Sequence, residues 1–261
     1  MRLAIADGPL VGQLIDFGLS VDYPTSVTSG RGSPIQPGAI YSAVSTDGGI
    51  DTTSNVPNWG SAEVMYVVNT SASTFLPGNL VQVDKNFSIA AAATTAGTGA
   101  PLAVCLTRFT AGNVTRQGGW VLLAGVSPVS YSVAATTGIM YLGTSLNATP
   151  TQASGKQILN ATCLIAAAGS FTRTVTTRAG LPQILVSRVN GIFVGQAISG
   201  TGIPASSVVS SIDPSGQALV IGSAVGTPVN ATASGSVTGT FTHTGYGICQ
   251  FDRPFVQGQI L

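Results

Sequence analysis

Lysine and glutamate are almost absent from this chain: Lys85, Lys156 and Glu63 are the only ones among 261 residues. These two residue types are leading formers of solvent-facing helix surface, so a chain without them has little from which to build an exposed helix. Glycine, serine, threonine, alanine and valine fill the space instead, and all charged residues together reach 7%, against roughly a quarter in ordinary globular proteins. Small turn formers and β-branched residues in that proportion predict an all-β fold.

The same scarcity bounds function. A surface of small hydroxyl and methyl groups is cheap to desolvate and loses little side-chain entropy when another subunit packs on it. An assembly interface is its natural use. Net charge is +1, which supplies no electrostatic footprint for nucleic acid or an anionic membrane. No run of about 18 apolar residues predicts a membrane span. The first residues, MRLAIADGPLVGQLIDFG, break their apolar run at Asp7, Gly8 and Pro9, so the expectation is a chain made in the cytosol without a secretory leader. The length suffices for one large β domain or two smaller ones, with a core that needs no disulfide or metal.

Along the chain, residues 1–60 carry Pro24, Pro34, Pro37 and Pro57 among many Gly, Ser and Asp. Each proline fixes its own backbone and extends the residue before it. Periodicity is weak, and the reading is an extended N-terminal arm that lies across neighbouring subunits, the alternatives being a floppy terminus or a loop layer packed on its own domain. A main β-barrel or sandwich domain follows at 61–175 and is completed by 242–261. Its strands are expected at AEVMYVVNT, Leu80–Asp84, Pro101–Thr107, Trp120–Val126, Gly138–Leu142 and Ile158–Ile165. Ser88–Gly97 reads as a helical turn or a loop. Gly118 and Gly119 predict a bulge or a sharp turn into the strand of Trp120. Residues 176–241 read as an inserted small antiparallel β module of about four strands. Asp213-Pro-Ser-Gly is a turn signal between Val208–Ile212 and Ala218–Ile221.

Catalytic chemistry finds few residues. His243 is the one histidine, with no second histidine or paired cysteine at ligand spacing, so zinc lacks support. No G-x-S-x-G elbow accompanies it. The acids are Asp7, Asp16, Asp22, Asp47, Asp51, Glu63, Asp84, Asp213 and Asp252. Asp47 and Asp51 bracket two glycines without calcium-loop spacing, and read as turn residues. GTGAP and SGTGIP lack the Lys-Ser/Thr ending of a phosphate loop, and read as turns. Cys105, Cys163 and Cys249 are far apart, odd in number and set in apolar runs. Each is expected to be a small buried hydrophobe, not a disulfide half or a ligand. The dispersed Arg108, Arg116, Arg173, Arg178, Arg188 and Arg253 are candidates for ion pairs with a partner chain. The expectation is no catalytic residue, no metal and no cofactor.

The succession PGNLVQVD, PLAVCLTRFTAGN, GGWVLLAGVSPV and, at the end, GYGICQFDRPFV resembles the small β-barrel head decoration proteins of tailed bacteriophages. The resemblance covers roughly residues 75–170 and 244–261. VGQAISGTGIPASSVVSSID is similar to a short β module of phage tail and virion surface proteins. The resemblance implies a non-enzymatic cement or decoration role on the capsid surface, with the major capsid protein as partner and a homotrimer as the working form. The alternatives are a tail or fibre component contacting the host surface, and a polysaccharide-binding β protein.

Overall fold

A computed structural model describes residues 3–7, 15, 21–22, 35–46, 56–57, 59–92, 101–112, 116–143, 146–151, 156–166, 169–213 and 215–256. Among these there is no helix, and the chain is all-β. In chain order the first eleven strands are β1 (Leu3–Ile5), β2 (Val21–Asp22), β3 (Ile40–Ser45), β4 (Ser61–Asn69), β5 (Leu80–Val83), β6 (Ser88–Ala91), β7 (Leu102–Cys105), β8 (Gln117–Ser130), β9 (Gly138–Leu142), β10 (Ala148–Thr149) and β11 (Gln157–Ile165). Then come β12 (Ser170–Thr177), β13 (Gln183–Val186), β14 (Ala197–Ser199), β15 (Val208–Ile212), β16 (Ala218–Ala224), β17 (Thr227–Pro228), β18 (Gly235–Thr242) and β19 (Tyr246–Val256).

The main sheet runs β1-β3-β4-β6-β5-β7-β8-β19-β11-β9-β10, and β4 also pairs with β8. That second pairing closes β4, β6, β5, β7 and β8 into a ring. Strand side chains alternate between faces, and here both faces are apolar. Met65, Val67, Val81, Ile89, Ala103, Cys105 and Val121 point into the ring, with Phe75 and Phe109. Val64, Tyr66, Leu80, Leu102, Val104, Trp120 and Leu122 point outward into the main core. The unbroken apolar run of β7 follows from this double burial.

Two glycines of β8 have a different reason from the one expected. Gly118 and Gly119 lie inside the strand, not at a turn into it. A Cβ on Gly119 would stand 2.8 Å from a ring carbon of Phe109 and 2.9 Å from the Thr107 Cβ, and one on Gly118 would strike the Tyr66 hydroxyl. The bare backbone lets those rings cross the strand. Further on, Gly125 adopts φ 118°, and a Cβ there would meet the Ser61 carbonyl oxygen at 2.9 Å. At this point β8 changes partner. Gln117–Leu122 and Ala124 pair with β4, whereas Ala124–Ser130 pair with β19, so Ala124 is shared.

The described part of residues 1–60 belongs to the core and not to a free arm. β1 pairs with β3, and β3 with β4. Leu3, Ile5, Ile15, Ile35, Ala43 and Trp59 are buried in the main core. Strands of three and six residues are too short for their alternation to stand out among the prolines. The region 88–97 is also corrected: Ser88–Ala91 is strand β6, parallel to β4, and 93–100 lie outside the described residues.

The second sheet is a closed barrel. β12, β18, β14, β15, β16 and β13 pair in that order, and β13 returns to β16. The count is six barrel strands where about four were expected. The difference arises at the ends: β12 pairs with β18 along its whole length, from Ser170↔Thr242 to Thr177↔Gly235. Closure removes the free edges that an open sheet would expose. Phe171, Val175, Ile184, Val186, Ile198, Val209, Leu219, Ile221 and Phe241 fill the interior. The Asp213 turn is present, with Gly216 N–H donating to the Asp213 carbonyl at 2.9 Å and Ser215 N–H to its Oδ1 at 2.8 Å.

Candidate functional site

The residues that carry chemistry are scattered. Asp84 accepts from the backbone of Asn86 and Ser88 and holds its own turn, whereas Asp7 accepts from the backbone of Ser42 on β3. Glu63 accepts from Arg253 at 2.8 Å on the surface. The one cation expected to await a partner chain at that position is therefore satisfied within its own chain. Arg173 lies over the Phe171 ring at 5.4 Å and reaches the Asn190 carbonyl. The Arg108 guanidinium rests on the Gly226 turn of the barrel, where a Cβ would strike it. Asp16, Asp47 and Asp51 lie outside the described residues. Among the described residues no three His, Cys, Asp or Glu side chains come together as a metal site, and no helix is long and apolar enough to cross a membrane.

What the fold does build is a grooved sheet face around β19. Between Leu159 and Ala161 of β11 stands one residue, Asn160; opposite them, between Phe255 and Phe251 of β19, stand three. Asn160 and Arg253 both take positive φ, 57° and 48°. The mismatch forces the two strands apart and re-aims their side chains, as bulges do. A groove of about 450 Å³ follows, lined by Ile139, Gln157–Thr162 and Gln250–Asp252. A second, of about 540 Å³, lies on the other side of β19 against Ser61–Glu63 and Ala124–Val126. The two share Gln250 and Phe251, and Arg253, thrown outward by its backbone, bridges to Glu63 at the second.

The walls of both grooves are mostly small or uncharged. Two large apolar side chains stand out of this region, Ile139 at 56% and Leu164 at 46% exposure. Thr162 is the cross-strand partner of Ile139, so Leu164 stands two residues further along the same strand. The sequence hid this surface because Ile139 and Leu164 sit in runs that read as core.

Behind the face lies the seam between the two units, held by exchanged side chains. Phe193, from the barrel segment, is buried in the main core, edge-on to Trp59 and to Tyr246, with centroids 6.2 and 5.3 Å apart. Val56, from the N-terminal segment, is buried in the barrel core. Gly191 makes room for it, since a Cβ there would come within 2.6 Å of the Val56 Cγ1. His243 follows β18 at this seam and is fully buried, with Phe193 and Phe171 at 5.7 and 6.2 Å. Its backbone N–H donates to Gly169 and its carbonyl accepts from Tyr246, but neither ring nitrogen has a hydrogen-bond partner. Burial among aromatic rings disfavours the charged imidazolium and holds the His243 pKa down to about 4. Among the described residues the neutral imidazole packs against aromatic rings, with no hydrogen-bond partner on either ring nitrogen.

No protein-family model, curated protein or solved structure matches the chain.

Proposed function

We propose that the chain is a non-enzymatic structural component of a tailed-phage virion, a decoration or cement protein that binds the assembled capsid and stiffens it. The observation that supports this reading is the grooved face around β19, whose walls are uncharged apart from Asp252 and Glu63, with two projecting apolar side chains. Such a face costs little to desolvate, its charges being the internal Arg253–Glu63 pair and Asp252. The major capsid protein is its partner in this reading, and a homotrimer its working form. A specific contact of this kind buries roughly 1,500 Å². Many symmetric copies multiply a weak contact into firm attachment. Because the protein binds the assembled shell and not its dispersed subunits, mass action shifts the shell towards the assembled state.

The test is a pair of substitutions on the face. Ile139→Asp with Leu164→Asp changes exposed positions, so folding is retained, and places two carboxylates against the capsid. Binding to mature heads that lack the protein should fall about tenfold or more. Undiminished binding would remove this face from the account, and binding to host cells instead of heads would favour the tail reading.

A further inference from the structure

Cys163 on β11 and Cys249 on β19 are direct cross-strand partners. Directly opposed residues of antiparallel strands have Cα atoms about 4.5–5.5 Å apart, which falls inside the range of about 4.4–6.8 Å that a disulfide spans. Both side chains are buried in the same core, and both thiols are free. The Tyr131 hydroxyl lies 3.8 Å from the Cys249 sulfur, and the Cys163 thiol donates to the Ile165 carbonyl at 3.4 Å. Gly247 leaves the Cys163 sulfur beneath bare backbone, since a Cβ there would lie 2.9 Å from it. The strand register breaks just after Cys163. Cys105, by contrast, is buried inside the five-strand ring in a separate cluster.

We propose that Cys163 and Cys249 form a dithiol site that a small hydroperoxide converts into a cross-strand disulfide, and that this bond staples the neck of the barrel. β11 leads into the barrel and β19 leaves it, so the link encloses the whole barrel in one covalent loop. The Cys163 thiolate attacks one peroxide oxygen and the O–O bond breaks, giving a sulfenic acid and hydroxide. The Cys249 thiol, losing its proton, then attacks the Cys163 sulfur and expels hydroxide. Two thiols and one hydrogen peroxide thus give one disulfide and two waters, with two electrons passing from sulfur to oxygen. The roles follow from the surroundings. Hydrogen bonds from Cys249 and Tyr131 hold the Cys163 pKa below the usual thiol value, whereas burial pushes Cys249 well above it. The thiolate is the attacking species. In a reducing compartment the pair stays open, and an oxidising one closes it.

The full-length chain treated with hydrogen peroxide tests this. Of its three thiols, titration in denaturant should find one left, and peptide mapping should place that one at Cys105. The oxidised chain should melt about 10 °C higher than the reduced one, as expected for a crosslink closing so long a loop, and a dithiol reductant should reverse the shift. In Cys105→Ala the titratable thiols should fall from two to none. In Cys249→Ala the reaction should stop at a sulfenic acid on Cys163. Three surviving thiols, a link that includes Cys105, or irreversible oxidation of Cys163 without a link would overturn the proposal. If Cys249→Ala does not fold, the Cys105→Ala chain decides alone.

Discussion

His243 shows how much a single side chain here depends on its setting. A lone histidine invites a catalytic reading, yet it sits in an aromatic pocket with both ring nitrogens unpartnered. The cost of that placement is a dependence on pH. The folded pKa of about 4 lies below the ordinary value near 6.5, so the folded chain binds fewer protons than the unfolded one. Stability is therefore complete above about pH 6.5 and declines as pH falls towards about 4. His243→Phe keeps the ring and removes the titration. Urea midpoints measured across that window should fall with acid in the parent chain and fall distinctly less in the variant. Parallel curves would show that another group carries the acid sensitivity. Serine, threonine and asparagine complete the picture at this scale. Asn69, fully buried, donates to the carbonyls of Ser73 and Thr110 and accepts from Ser71. It ties together the ends of two loops without any charge.

The elements are joined by exchange and not by a linker. Phe193 leaves the barrel segment for the main core, and Val56 enters the barrel core from the other side. Phe193→Ala should cost about 3–5 kcal/mol through the cavity it leaves. It should also uncouple the units, so that calorimetry resolves two transitions where the parent chain shows one. A single transition at an unchanged midpoint would contradict the idea that Phe193 joins them. Strands such as β5, β7 and β15 were legible in the sequence because apolar runs end there at Pro-Gly, Gly or Asp-Pro turn signals. β1 and β3 were not, being short and embedded among prolines. Barrel closure was not legible either. β12 alternates threonines with single apolar residues, and its partner β18 lies some sixty positions away, a separation that local pattern does not encode. The facing of Cys163 and Cys249 and the groove beside Asn160 both depend on the β11–β19 register, which only the folded sheet reveals.

At the scale of the whole molecule, two closed strand systems share one seam, and β8 runs out of the five-strand ring to pair with β19 from Ala124 onward. The chain spends almost no charge on its surface, and net charge is +1. In the proposed role, attachment to a shell should rest on shape and apolar contact and respond weakly to ionic strength. A binder of this kind acts by being present in many copies on a lattice, each adding a little to the assembled state. The direct measurement is the thermal disruption of mature heads that lack the protein, followed by light scattering with and without saturating amounts of the purified chain. The account predicts that the chain sediments with the heads and raises their disruption temperature, in high salt as in low. Heads that neither take up the chain nor gain stability from it would contradict the account.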